Sequence, residues 1–114
     1  MSKDYIEYLR HILIECEYIT SVITTDYSKE HFLTDETHKR AIVRSLEIIG
    51  EATKQIPVDV KLRWNGIAWK NMAGMRDRLI HDYIGVNYHI VWDVARNIIP
   101  VIKDQIEKIV LEIT

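Results

Sequence analysis

The chain has 114 residues, enough for one domain with a single modest hydrophobic core. Apolar residues make up 47% of the sequence and charged residues 28%, which is the composition of an ordinary globular protein. The formal net charge of -2 argues against a protein that coats nucleic acid without specificity. We therefore expect a single domain over residues 1–114.

The single cysteine and the opening of the chain both bear on the compartment. Cys16 excludes an internal disulfide and suits a reducing cytoplasm, and its apolar surroundings favour a buried thiol over a nucleophile. No charged and then apolar leader opens the chain, and no apolar run approaches the length of a membrane span. We expect a cytoplasmic protein that makes no membrane contact.

The first predicted helix runs from about Asp4 to Thr25. Its apolar residues alternate in steps of four and three, as in the seam of a helix bundle: Tyr5, Leu9, Ile12, Cys16, Ile19 and Ile23. Ile6, Leu13 and Ile14 lie off this seam. The helix is thus apolar on more than one side, which leaves surface for a partner.

A polar stretch, Asp26–Glu36, separates this helix from the second, for which Asp35 or Thr34 is a suitable N-cap. The second helix ends before Pro57, because the residue before a proline disfavours helical geometry. Its apolar residues are Ile42, Leu46, Ile49 and Ile56. Val58–Arg63 is compatible with a short turn of helix, and Asn65-Gly66 is a turn signal.

The third predicted helix covers about Ile67 to Tyr83, and the fourth runs from about Tyr88 to Ile113. Pro100 falls inside the fourth helix, so we expect a kink or a break there. No segment alternates with period two for long enough to form a strand. The expected fold is all-α, an antiparallel bundle of four main helices.

The segment Arg76–Tyr83 places reactive side chains where a helix should carry core. On a straight third helix, Arg76 and Tyr83 project from the middle of an apolar face formed by Met72, Met75, Leu79 and Ile80. An arginine there is costly unless its guanidinium reaches an anion or a water-filled cleft. His81 lies roughly 140° from Arg76 on the same helix. Either the helix ends near His81, as Gly85 allows, or a second copy of the chain completes the site.

Charge is unevenly distributed along the chain. Between residues 61 and 81, Asp77 opposes five basic residues: Lys61, Arg63, Lys70, Arg76 and Arg78. A solvated helix face is the simple explanation of such a cluster. Its coincidence with Arg76 and His81 favours an anion-binding cleft instead.

The spacing Arg76-x4-His81-x-Tyr83 resembles the signature of the HepT-like toxins, which belong to the HEPN group of all-helical ribonucleases. In that signature a polar residue usually follows the arginine, and Asp77 fits this position. The segments Arg44–Ala52, Ile67–Met75 and Val86–Trp92 also resemble family segments in the same order. With them, the resemblance covers most of the chain from about residue 37 to residue 100.

The resemblance implies a homodimeric, metal-independent endoribonuclease toxin without a cofactor. Imidazole titrates near neutral pH, so His81 would act as general base or acid. Arg76 would grip the scissile phosphate with two-point geometry, and the 2′-hydroxyl of RNA would supply the nucleophile. Tyr83 would orient the phosphate or stack on a base. Metalloprotease, di-iron, P-loop and serine-hydrolase motifs are missing from the sequence.

HepT-like toxins are paired with a small nucleotidyltransferase antitoxin that adds AMP to the motif tyrosine, which corresponds to Tyr83. A bulky anion two residues from His81 would fill the cleft and occupy Arg76 in place of an RNA phosphate. The alternative function, from a different class, is a non-catalytic helical module. It would dock a nucleotidyltransferase and present nucleotide or substrate to it.

Each motif residue also has a structural interpretation. In this interpretation His81 would pair with Asp77 on a solvated helix face. Tyr83 would be a core residue whose hydroxyl is solvated. Arg76 is then a salt-bridge hub with Glu51 or Glu47. The tryptophans are interpreted as core anchors: Trp64, Trp69 and Trp92. The remaining histidines show no spacing that recruits them to a site: His11, His31, His38 and His89.

Overall fold

The computed structural model describes residues 4–81 and 85–114, with the backbone only at residues 80 and 81. Nearly all of the regular structure is helical, which confirms the all-α prediction. The elements in chain order are α1 (Tyr5–Val22), α2 (Lys29–Thr34), α3 (Glu36–Lys54), α4 (Val58–Arg63), α5 (Trp69–Ala73), α6 (Met75–Leu79), β1 (Ile80–His81), β2 (Gly85–Val86), α7 (Tyr88–Asp93), a π-helix (Val94–Ile98) and α8 (Ile99–Ile113).

The core forms where α1 packs against α3 and α8. The predicted seam of α1 is confirmed, because Leu9, Ile12, Cys16 and Ile19 are completely buried. α5 and α6 cover another side of α3. Within the described part of the chain, no helix combines the length and apolar character that a membrane crossing needs.

Side-chain caps determine where several helices begin. The Asp35 side chain accepts a hydrogen bond from the His38 amide at the start of α3, which confirms one of the two predicted caps. Ser28 caps α2 through the His31 amide, so a short helix forms inside the stretch that we predicted to be a break. α2 persists because Phe32 is completely buried against the core.

The prediction of one straight third helix was wrong. The chain forms α5 and then α6, with Gly74 between them, and helical structure ends at Leu79. β1 and β2 then pair antiparallel, with Ile80 opposite Val86 and His81 opposite Gly85. Glycine has a low helix propensity, which favours the interruption at Gly74. Gly85 has a φ of 86°, which only glycine adopts readily.

The fourth helix is continuous along the chain but changes in type. α7 and α8 are joined by the π-helix, which ends immediately before the turn that contains Pro100. Proline has no amide hydrogen for the carbonyl of Arg96, four residues earlier, and its ring crowds that carbonyl. The expected disturbance at Pro100 is therefore a widened helical turn rather than a break.

Candidate active site

Arg76 lies on α6 and its side chain is 55% exposed. This corrects the prediction that it projects from the middle of a buried apolar face. Met72, Met75 and Leu79 are buried as expected. The interruption at Gly74 changes the helical phase between α5 and α6, so angles calculated on one straight helix do not apply.

Two carboxylates lie near the Arg76 guanidinium. Its Nε is 3.7 Å from Glu47 Oε2 and one terminal nitrogen is 3.8 Å from Asp77 Oδ1. Of the two partners considered from sequence, Glu47 is therefore correct, whereas Glu51 pairs with Lys54 at 3.1 Å. Both contacts of Arg76 are long and partly solvated, so they hold the side chain weakly. An incoming phosphate can displace them.

The backbone of His81 belongs to β1, two residues beyond the end of α6. Of the two alternatives left open by the sequence, the structure has the one in which the helix ends near His81. The calculated separation of 140° from Arg76 required a continuous helix and does not hold. The side chain of His81 lies outside the described residues, and so does the suggested pair with Asp77.

Tyr83 lies outside the described residues altogether. Its predicted roles therefore rest on the sequence. Asp77, the polar residue that follows Arg76, is described and is 86% exposed. It is a surface carboxylate beside the guanidinium of Arg76.

The basic residues between positions 61 and 81 lie mainly at the surface, and one of them, Arg63, contacts α8. Arg63 lies over the ring of Trp64, with its guanidinium carbon 4.5 Å from the ring centroid, and also approaches Glu112 at 3.9 Å. The indole of Trp64 donates a hydrogen bond to the same glutamate. Lys70 and Arg78 are exposed. Arg78 thus adds a second guanidinium to α6 beside Arg76.

The tryptophans confirm the core-anchor interpretation to different degrees. Trp69 is buried, and its indole donates to the carbonyl of Trp64. Trp64 and Trp92 are half-buried and pack against the core. Trp92 contacts the rings of Tyr27 and Phe32, which connects α7 to the segment before α3.

A polar network that sequence reasoning missed joins this segment to α3. Asp35 Oδ2 accepts hydrogen bonds from the Tyr27 hydroxyl at 2.7 Å and pairs with His38 Nδ1 at 2.6 Å. His31 Nε2 lies 3.6 Å from the same oxygen. Two histidines that showed no informative spacing therefore share one carboxylate. The available signal was a capping Asp35 with a histidine three residues later.

This network shifts the pKa values of Asp35 and Tyr27. The hydrogen bond from Tyr27, followed by that from His38, lowers the pKa of Asp35 to about 2. Burial, together with the bond to Asp35, raises the pKa of Tyr27 above its usual value. Asp35 is therefore ionised, and Tyr27 protonated, throughout the physiological range.

Cys16 is completely buried, and burial raises its pKa to about 12. A thiol in this state is not a nucleophile at neutral pH, which confirms the structural interpretation. Among residues 4–81 and 85–114, no three His, Cys, Asp or Glu side chains come together in a group that could hold a metal ion.

Comparison with known proteins identifies the family. The family described as "Ribonuclease HepT-like" matches residues 3–109. A protein of Caldanaerobacter subterraneus subsp. tengcongensis, named "Putative RNase TTE0752", is 46% identical over 102 residues, which cover 90% of each chain. The "Probable ribonuclease HepT" of Thermococcus cleftensis is 40% identical over 109 residues, 96% of this chain and 98% of its own.

A third relative, "Putative RNase MJ1216" of Methanocaldococcus jannaschii, is 46% identical over 99 residues, 85% of this chain and 82% of its own. No solved structure matches the chain. The family match spans α1 to α8 and contains the whole of the motif from Arg76 to Tyr83. The chain therefore belongs to the HepT-like family of ribonucleases.

Proposed function

We propose that this ribonuclease is the toxin of a toxin–antitoxin pair and cleaves RNA internally without a metal ion. The proposal treats residues 1–114 as one HepT-like domain, an antiparallel bundle of four main helices that works as a homodimer. Its main structural support is Arg76, a half-exposed guanidinium held by long contacts to Glu47 and Asp77. A cation in this state is available to a phosphate at little cost, because neither contact must be broken inside the core.

The proposed chemistry uses two catalytic residues. Arg76 binds the non-bridging oxygens of the scissile phosphate and offsets the charge that develops on them. The RNA 2′-oxygen attacks phosphorus as the bond from phosphorus to the 5′-oxygen breaks. His81 accepts the proton of the 2′-hydroxyl or supplies one to the leaving 5′-oxygen. Asp77 and Tyr83 support this site.

Cleavage of RNA in the presence of EDTA tests the proposal. The native chain should cleave RNA with the metal chelated, and His81→Ala should reduce the rate by about 10²–10⁴-fold, the usual contribution of a general base or acid. His89→Ala is the matched control, because His89 is an exposed histidine on α7 with no proposed role. Native protein that leaves RNA intact would favour the non-catalytic module that docks a nucleotidyltransferase.

The proposed regulation is attachment of AMP to Tyr83 by a cognate nucleotidyltransferase antitoxin. The family resemblance motivates it. A phosphate attached two residues from His81 would compete with RNA for Arg76. An unperturbed tyrosine has a pKa of about 10, so a base on the transferase has to activate the hydroxyl.

Intact-mass analysis after incubation with the antitoxin and ATP tests this regulation. Whole AMP units should be added to the native chain and not to Tyr83→Phe, and cleavage by the native chain should stop. Tyr18→Phe is the matched control, because Tyr18 is an exposed tyrosine on α1. Equal modification and silencing of Tyr83→Phe would exclude Tyr83 as the site.

A further inference from the structure

A groove of about 260 Å³ separates α5 and α6 from the π-helix and α8. Two irregularities border it. On one side the helical chain is interrupted at Gly74, and on the other the π-helix widens the turn before Pro100. π-Helical turns are rare and frequently occur at functional sites. The groove lies against α6, the helix that carries Arg76.

The floor and walls of the groove are apolar. Met72 and Met75 contribute from α5 and α6, while Ile98 and Val101 contribute from the opposite side. Val101 is 55% exposed, so its side chain is accessible from the open side of the groove. Methionine side chains adapt to flat ligands, and their sulfur atoms make favourable contacts with aromatic rings. These walls suit a flat aromatic group.

Three side-chain amides line the same groove: Asn71, Asn97 and Gln105. Each offers both a donor and an acceptor. The Asn97 amide nitrogen donates to Asp93 at 2.8 Å, and Gln105 reaches the Gly66 carbonyl only at 3.5 Å. Amide side chains recognise the edges of bases by paired hydrogen bonds. A purely aliphatic ligand would cover these amides without hydrogen-bonding to them, at a cost in affinity.

Arg78 completes the groove with a cation. Within the described residues, no carboxylate lies within ion-pair distance of its guanidinium. Arg76 and Arg78 are two residues apart on α6 and therefore point to different sides of this short helix. With Asp77 between them, the exposed edge of α6 keeps one excess positive charge. A phosphate at Arg78 therefore lies on the groove side of α6, separate from a phosphate held by Arg76.

We propose that this groove binds one nucleobase of the RNA substrate, on the side of α6 that carries Arg78. Arg78 holds the phosphate of the bound nucleotide, and the amides read the edge of its base. The inference rests on the proposed ribonuclease function and deepens it, because it assigns the position that determines sequence preference. At about 260 Å³, the groove lies just below the size range of small-molecule sites, but like them it combines apolar walls with a few polar groups.

Binding and cleavage are measured separately to test the proposal. Val101→Trp fills the groove from an exposed position, and Leu111→Trp, on the same helix but outside the groove, is the matched control. The four nucleoside 3′-monophosphates are titrated into each protein by calorimetry. We expect the native chain to prefer one of them by about tenfold, the discrimination that one paired hydrogen-bond contact provides.

Val101→Trp should weaken this binding by about tenfold and raise KM for RNA with kcat nearly unchanged, whereas Leu111→Trp should match the native chain. Asn97→Ala should reduce the preference among the four nucleotides. This second variant keeps the test decisive if the tryptophan disturbs packing. Retained folding is checked by circular dichroism.

The outcomes separate the groove from the proposed ribonuclease function. Selective nucleotide binding that Val101→Trp abolishes would support the groove even if no RNA were cleaved. Cleavage of RNA with equal kinetics in native chain, Val101→Trp and Asn97→Ala would overturn the groove and leave the ribonuclease function standing. Dissociation of a native dimer by Val101→Trp, without nucleotide binding, would make the groove an interface between copies and would also overturn the proposal.

Discussion

Arg76 illustrates how helical periodicity can place a candidate residue in the wrong environment. Its type and spacing pointed to an anion-binding role, and the structure gives it an exposed position with weak carboxylate contacts. The expected burial on an apolar face does not occur, because α6 begins a new helical phase after Gly74. The anion-binding interpretation no longer depends on the cost of a buried charge. It depends on a planar cation that is available at the surface of α6.

We predict that Arg76→Lys lowers the cleavage rate nearly as much as Arg76→Ala, by about 10²–10³-fold. Lysine keeps the charge but replaces a planar fork with a point charge, so two-point phosphate recognition is lost. Steady-state kinetics on RNA check this. Arg40→Lys on α3 is the control, since Arg40 is an exposed arginine with a similarly long contact to a glutamate. Full activity in Arg76→Lys would show that charge by itself suffices.

The carboxylate of Asp35 predicts an acid-sensitive contribution to stability. Its pKa is lowered to about 2 in the folded chain, against about 3.9 in an unfolded one. Stabilisation is therefore complete above pH 4 and disappears as the pH falls towards 2. Tyr27→Phe removes the largest cause of the shift, so it should lower stability at pH 7 and reduce the loss between pH 4 and 2.

Urea unfolding of Tyr27→Phe and the native chain across pH 2–7 measures both effects. Tyr18→Phe removes an exposed hydroxyl on α1 but keeps the ring that the proposed strip uses, so this variant should unfold like the native chain. An unchanged acid profile in Tyr27→Phe would mean that the hydrogen bond at 2.7 Å does not determine the ionisation of Asp35.

At the scale of elements, the close approach of α3 to α5 positions the site. A side chain at Gly50 would place its Cβ 3.3 Å from the Met72 carbonyl oxygen and 3.5 Å from that of Ala73. Glycine thus lets two backbones meet one turn beyond Glu47, the partner of Arg76. The contact fixes the distance between α3 and the segment that continues into α6.

Gly50→Val should lower the free energy of unfolding by about 1–3 kcal/mol, because the branched side chain forces α3 away from α5. Gly50→Ala is the graded control. Its gain in helix propensity of about 1 kcal/mol should offset most of the strain from a single tight contact. Urea denaturation measures both variants, and a Gly50→Val chain as stable as the native one would contradict the close approach.

At the scale of the whole molecule, the surplus apolar surface of α1 supports a homodimer. Ile14 lies off the seam and is 58% exposed, and Tyr18, one turn later, is also exposed. Such residues on neighbouring turns form a strip that a second copy can cover. The argument from the angle between Arg76 and His81 no longer supports the dimer, since the helix ends before His81.

We predict that mixing Arg76→Ala and His81→Ala subunits restores cleavage if each site takes Arg76 from one chain and His81 from the other. Random pairing gives one intact site in half of the dimers, or about a quarter of native activity. Sedimentation at the assay concentration verifies the dimer. Mixtures that remain inactive, or a monomer at that concentration, would exclude a cleft shared between chains.

Local patterns in the sequence determined the helical class, the buried seam of α1, the cap at Asp35 and the inert thiol of Cys16. These features depend on residue type and on spacing within a few helical turns. They can therefore be predicted from the sequence without knowledge of distant contacts. Candidate residues Arg76, Asp77, His81 and Tyr83 were chosen in the same way, from one short motif in its family context.

Tertiary structure decided how those residues are presented. The interruption at Gly74 lies where α5 packs against α3, and the π-helix before Pro100 lies where the chain packs against α1. The choice of Glu47 over Glu51 as the partner of Arg76 follows from the phase of α6 after that interruption. Each of these outcomes is set by contacts between residues far apart in the chain, and helical periodicity carries no information about them.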